Sequence, residues 1–110
     1  MTRAIDPHAA VDFIVSNAPK YAKAKAERVF IEQFRKSKKA LLMKEHTALP
    51  LAAQEREAYA HPDYLALLDG LKEATEIEEA LRWQMVAAEA RIEVWRTQSA
   101  NNRAQDRAAQ

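Results

Sequence analysis

The chain has 110 residues, a formal net charge of +1 and no cysteine. This length predicts one small domain, and the lack of cysteine excludes disulfides, thiolate catalysis and cysteine zinc ligands. Because the net charge is close to zero, a nucleic-acid surface is expected only where charge is unevenly distributed along the chain. One glycine among abundant Ala, Glu, Lys, Arg and Leu predicts an all-α fold.

The N-terminal segment MTRAIDPHAA indicates the cellular compartment in which we expect the protein. It carries charge where a secretory signal needs an apolar run, and no later segment is apolar enough to span a bilayer. We therefore expect a cytoplasmic protein that does not contact a membrane.

The first helix is predicted to begin at Asp6-Pro7. An aspartate side chain accepts hydrogen bonds from the first free amides, and proline is tolerated at the first helical position. This helix is expected to be short and to end near Ser16, because Pro19, like Pro7, marks the start of a helix.

A longer, basic helix then runs from Pro19 to Lys44. Its inward face, the seam of a hairpin, is assigned to residues that recur at spacings of three and four: Ala22, Ala26, Val29, Phe30, Gln33, Ser37, Ala40, Leu41 and Lys44.

A connector follows between Thr47 and Pro62. Its prolines prevent either long helix from continuing through it, although LAAQEREAYAH fits a short helix of its own. The last, acidic helix is predicted to begin at His61-Pro62-Asp63. It carries a heptad-like seam formed by Leu67, Leu71, Ala74, Glu78, Leu81, Met85, Ala88, Ile92 and Trp95.

Two features qualify the last helix. Gly70 lies inside it and is expected to be a weak point that costs about 1 kcal/mol relative to alanine, not an end. Residues 96–110 lose the apolar period, which predicts a frayed helix end or a disordered tail. The helical domain is therefore expected over residues 1–95.

These segments predict a long antiparallel helical hairpin, coiled-coil-like, with the short N-terminal helix packed against it. The second half of the last helix is also apolar on the side opposite its seam, at Trp83, Val86, Ala87, Ala90 and Val94. Such a helix should be covered on both sides, either by the first helix of the same chain or by a second chain. We expect a dimeric bundle whose interface contains Trp83, Val86, Ala90 and Val94.

The sequence does not favour an enzyme. His8, His46 and His61 are far apart and form no metal motif, and no cofactor is expected. No nucleophile motif or glycine-rich phosphate loop is present.

Glu78 is the one carboxylate on the seam, which predicts a register-setting contact with a Lys or Arg of the basic helix. Other acidic residues map to the outer face of the last helix and are expected to be solvated: Glu73, Glu76, Glu79 and Glu93.

The basic helix is the best indication of function. With the seam assigned as above, its cations project away from the partner helix and form a stripe that suits a phosphate backbone. The nucleic-acid-binding residues predicted from this stripe are Lys20, Arg28, Arg35, Lys38 and Lys39, with Lys23, Lys25 and Lys36 at its edges. The alternative is a solvated face with ion pairs to the acidic helix. Ile31 and Leu42 lie among the cations, which favours contact with nucleic acid, an acidic protein surface or a second subunit.

Two stretches carry a resemblance, VDFIVSNAPKYAKAKAERVFIEQFRKSKKALLM and LRWQMVAAEARIEVWRTQSANNR. They resemble small helical proteins encoded by tailed bacteriophages and prophages among early genes for replication and recombination. The resemblance covers most of the chain and brings no catalytic motif. It implies a host-cytoplasm setting and a role in DNA metabolism or in interference with a host system.

Two functions therefore stand as hypotheses. The leading one is a non-enzymatic accessory protein of phage DNA metabolism that binds nucleic acid without strong sequence preference, or assists a recombination protein. The alternative is a protein-binding module that inhibits a host nuclease or defence system through the acidic helix face at Glu73, Glu76 and Glu79.

Overall fold

A computed structural model of the protein describes residues 4–109. Between these limits the chain forms three α-helices: α1 (Pro7–Met43), α2 (Leu51–Ala60) and α3 (Pro62–Ala109). A 3₁₀ turn, Lys44–His46, follows α1 directly. All elements of the described chain are helical, so the all-α prediction is confirmed, as is a separate short helix in the connector.

Two of the predicted helix starts, at Asp6-Pro7 and at His61-Pro62, are confirmed by hydrogen bonds. Asp6 Oδ1 accepts from the backbone N–H groups of His8 at 3.0 Å and Ala9 at 3.2 Å, which caps α1. At the start of α3, His61 Nδ1 accepts from the backbone N–H of Asp63 at 3.0 Å. Each cap satisfies amides that have no partner within their helix.

The expected short N-terminal helix is wrong, because α1 continues through Pro19. Proline removes one intrahelical hydrogen bond and normally disfavours a helix interior. Here the side-chain amide of Asn17 donates to the carbonyl of Phe13 at 2.8 Å within the same helix. Phe13, Asn17 and Tyr21 are half-buried along one side. Packing of that side offsets the cost of the proline, since tertiary contacts supply most helix stability.

The chain divides into two compact units. One unit contains the described residues up to Tyr21 together with those from Ala80 onward, and the other contains Ala22–Glu79. In the first unit the buried residues are Ala10 and Ala88, which are 5% and 0% exposed.

In the unit Ala22–Glu79, α1 and α3 are antiparallel. Arg28 pairs with Glu78 and Lys38 pairs with Asp63, so residue numbers rise along α1 as they fall along α3. The end of this hairpin is closed by α2. Leu42, Ala58 and Tyr64 are buried together there, one from each of α1, α2 and α3, with the side chains of Met43 and Leu68 packed against them.

The predicted seam of α3 is confirmed except at its last residue. Its members are buried or half-buried as far as Ile92, whereas Trp95 is 40% exposed. Gly70 lies inside the helix, as expected. The helix also continues to Ala109, through the segment for which a frayed end or disordered tail is predicted. That segment contains no Gly or Pro and is rich in Ala, Gln and Arg, which favour a helix.

The predicted seam of α1 is wrong. Every residue assigned to it, from Ala22 to Lys44, is exposed. The residues that are buried or half-buried instead alternate in steps of four and three along the opposite side of the helix: Ala24, Arg28, Ile31, Arg35, Lys38 and Leu42. Apolarity alone indicated the wrong face, because this seam contains three cations, of which Arg28 and Lys38 pair with carboxylates of α3.

Candidate functional site

Arg28, a predicted phosphate contact, binds carboxylates of its own chain. Its guanidinium donates through Nε to Glu78 Oε2 and through Nη2 to Glu78 Oε1 at 3.2 Å, and Nη1 donates to Glu32 Oε2 at 2.7 Å. The hydrogen bond with Glu78 is the main cause that raises the pKa of Arg28. Glu78 is only 4% exposed, and its pairing with Arg28 confirms the predicted contact with a Lys or Arg of the basic helix.

Lys38 and Lys39 also have partners within the chain. Lys38 Nζ lies 3.7 Å from Asp63 Oδ2. Lys39 Nζ lies 3.5 Å from Glu55 Oε1 and 4.7 Å from the centroid of the Tyr59 ring, a cation–π distance. A hydrogen bond with Tyr59 is the main cause that raises the pKa of Lys39, and the charge of Glu55 adds to it. The prediction that these cations point away from their partners is therefore wrong.

The remaining predicted contacts, Lys20 and Arg35, lie in different units. Lys20 is exposed in the first unit, and Arg35 is half-buried in the unit Ala22–Glu79. Neither forms an ion pair with a carboxylate of residues 4–109, and the same holds for the exposed Lys36 beside Arg35. The positive charges of Arg35 and Lys36 are therefore available to a partner molecule.

A groove of about 650 Å³ brings these cations together with aromatic rings. We name it the cationic groove; it is lined by Arg35, Lys36, Lys39, Ala40, Met43, Tyr59 and Tyr64. The rings of Tyr59 and Tyr64 meet edge to face, with centroids 5.3 Å apart and planes at 76°. Tyr59 is 46% exposed, whereas Tyr64 is 7% exposed, so Tyr59 presents the accessible ring.

Local sequence explains how the tyrosines reach the end of α1. Pro50 precedes α2, and the Gln54 side-chain amide donates to the carbonyl of Leu49 at 2.8 Å, which fixes the entry into that helix. His61 separates α2 from α3 in an extended conformation and caps α3. This sharp turn lays α2 against α1, and burial of Tyr64 with Leu42 holds it there.

Sequence reasoning missed both tyrosines of the groove. Tyr59 lies in the predicted connector helix and Tyr64 in the predicted last helix, and no sequence spacing combines either ring with the cations of α1. A signal was present, since two aromatic residues flank the His61-Pro62 turn. A short connector helix must pack against the end of the basic helix, which brings its Tyr59 near Lys39, and the start of the next helix brings Tyr64 to the same place.

Among the described residues, the outer face of α3 stays largely exposed. Trp83, Val86 and Val94 are 58%, 37% and 47% exposed, and Ala90 is exposed as well. The expectation that the first helix covers this face is therefore wrong, whereas a second chain stays a prediction. The Arg82 guanidinium lies 4.5 Å from the centroid of the Trp83 ring and shields part of it.

The acidic residues and histidines form no further centre. Glu73 and Glu76 are exposed on α3, and Glu79 is half-buried. Across residues 4–109, no group of three His, Asp or Glu side chains is placed to hold a metal ion. None of the described helices combines the length and apolarity needed to cross a membrane.

Comparison with known proteins assigns no family to this arrangement. No protein-family model, curated protein or solved structure matches the chain.

Proposed function

We propose that this chain is a non-enzymatic accessory protein that binds nucleic acid through the cationic groove. The observation that carries the proposal is the pairing of two available cations, Arg35 and Lys36, with the exposed ring of Tyr59 in one concave surface. Cations supply the salt-dependent attraction to phosphates, and an aromatic ring offers a surface for a base.

Arg35 is the strongest candidate contact. Arg35 is half-buried as a residue and forms no ion pair with a carboxylate of the described chain. A planar guanidinium can bind two phosphate oxygens at once. A phosphate would therefore complete an interaction that the free protein lacks.

Only some of the cations in the stripe expected from the sequence are proposed to contact nucleic acid. Arg35 and Lys39 line the groove together with Lys36, which was placed at the edge of the stripe. Arg28 and Lys38 serve the hairpin instead, through Glu78 and Asp63. A role in phage DNA metabolism, alone or beside a recombination protein, extends this proposal and is supported by the resemblance described above.

Fluorescence anisotropy of labelled DNA tests the proposal. We expect the wild-type protein to bind at low salt and to bind much more weakly at physiological salt, because released counterions drive the association. Absence of binding at low salt would contradict the proposal. A pull-down that captures a protein partner and is lost in Glu73→Lys/Glu76→Lys would then support the acidic-face alternative.

A further inference from the structure

The walls of the cationic groove divide into two kinds of surface. Ala40, Met43 and the tyrosine rings are apolar, whereas Arg35 and Lys36 bring positive charge. A nucleotide has the same division, with an apolar base face at one end and a charged phosphate at the other. A volume of about 650 Å³ lies within the range of about 300–1,000 Å³ found for small-ligand sites.

We infer that the groove takes single-stranded nucleic acid, with one unpaired base against Tyr59 and the neighbouring phosphates at Arg35 and Lys36. This inference rests on the proposed function and names the ligand class that it leaves open. A duplex keeps the faces of its bases inside the stack, so only an unpaired base can reach a ring in a groove. Single strands bind proteins through this combination of aromatic ring and basic channel.

In the free protein, the Lys39 ammonium lies over the face of the Tyr59 ring. Its ammonium lies 4.7 Å from the centroid of Tyr59, and Glu55 Oε1 lies 3.5 Å from the same nitrogen. A base that stacks on this ring displaces the ammonium, which then turns toward the phosphate of the entering nucleotide. Glu55 opposes that exchange, because it holds Lys39 in place and adds negative charge beside the strand.

Tyr59→Leu tests the stacking step, since leucine keeps apolar bulk beside Tyr64 but removes the ring. We expect its affinity for a labelled oligothymidine strand to fall about tenfold at constant salt. Tyr59→Phe should bind within about twofold of the wild type, because phenylalanine retains the ring. Circular dichroism confirms that each variant is folded. Equal affinity of Tyr59→Leu and wild type for the strand would overturn the inference.

A charge-matched pair tests the role of Glu55. Glu55→Gln and Glu57→Gln each remove one negative charge from α2, but only Glu55 pairs with Lys39. We expect Glu55→Gln to tighten strand binding about threefold more than Glu57→Gln, because it also releases Lys39. Equal effects of the two changes would contradict the exchange of Lys39.

Two further ligands separate this inference from the proposed function. A labelled duplex of the same length should bind more weakly than the strand, and Tyr59→Leu should leave its affinity unchanged. If duplex and strand bind equally, and both lose affinity in Arg35→Gln/Lys36→Gln but not in Tyr59→Leu, the inference fails while binding of nucleic acid at the groove stands; if neither binds, both fail. Thymidine monophosphate should compete only weakly, and tighter binding of this free nucleotide than of the strand would overturn the single-strand assignment.

Discussion

Arg28 and Glu78 lie on the faces of α1 and α3 that meet in the hairpin, and we expect this pair to help select the inward face of α1. Glu78 is almost fully buried, and its two carboxylate oxygens accept from the Arg28 guanidinium. A buried carboxylate needs such a partner, because burial of an unpaired charge is costly. The register of the hairpin therefore depends on this pair, and the apolar residues of α1 that face outward do not override it.

Reversal of the pair tests this account. Arg28→Glu should lower the melting temperature strongly, because it places a second negative charge against Glu78. The double variant Arg28→Glu/Glu78→Arg should recover much of the loss, since opposite charges face each other again. Thermal unfolding of both proteins by circular dichroism measures the recovery. A double variant no more stable than Arg28→Glu would show that the two residues do not interact.

Gly70 offers a second prediction for a single residue. A Cβ added to Gly70 would meet no atom within 4 Å, so alanine fits without strain. Gly70→Ala should raise the free energy of unfolding by about 1 kcal/mol, because alanine loses less conformational freedom in a helix. Urea unfolding measures the change. Ala66→Gly, at an exposed position of the same helix, is the control and should lower stability by a similar amount.

At the scale of elements, Pro19 is the main unfavourable residue in α1. Pro19→Ala should stabilise the protein by on the order of 1–3 kcal/mol, because it restores one intrahelical hydrogen bond. Pro7→Ala should change stability little, since Pro7 stands at the first helical position, where its missing N–H has no partner to lose. Urea unfolding of the two variants separates these effects. Destabilisation by Pro19→Ala would mean that α1 requires the proline.

The elements also show what the sequence can predict. The caps at Asp6 and His61 and the seam of α3 depend on local signals and on a regular apolar period, and these were predicted correctly. The inward face of α1 could not be predicted in this way, because it is set by Arg28 pairing with a residue that is distant in sequence. The cationic groove could not be predicted in this way either, because it forms only when α2 folds back against the end of α1.

At the scale of the whole molecule, the exposed face of α3 predicts self-association. Trp83 and Val94 are large apolar residues that are 58% and 47% exposed, which suits a contact with a second chain. Val94→Asp should convert a dimer to a monomer in light scattering, because it places a charge at that contact. Val15→Asp, at an exposed valine of α1, should leave the mass unchanged. A wild-type protein that is monomeric at high concentration would contradict the predicted dimer.

The central claim is that nucleic acid binds at the cationic groove and not to positive charge in general. The most direct test compares two variants of α1 that lose the same charge: Arg35→Gln/Lys36→Gln in the groove, and Lys23→Gln/Lys25→Gln outside it. Anisotropy over a range of salt concentrations measures their affinity for a labelled single strand. We predict that the groove variant loses most of its affinity for the strand. The slope of its log affinity against log salt concentration should fall by about 0.7 for each lost phosphate contact. The affinity and slope of the other variant should stay near those of the wild type. Equal losses in the two variants would contradict the claim.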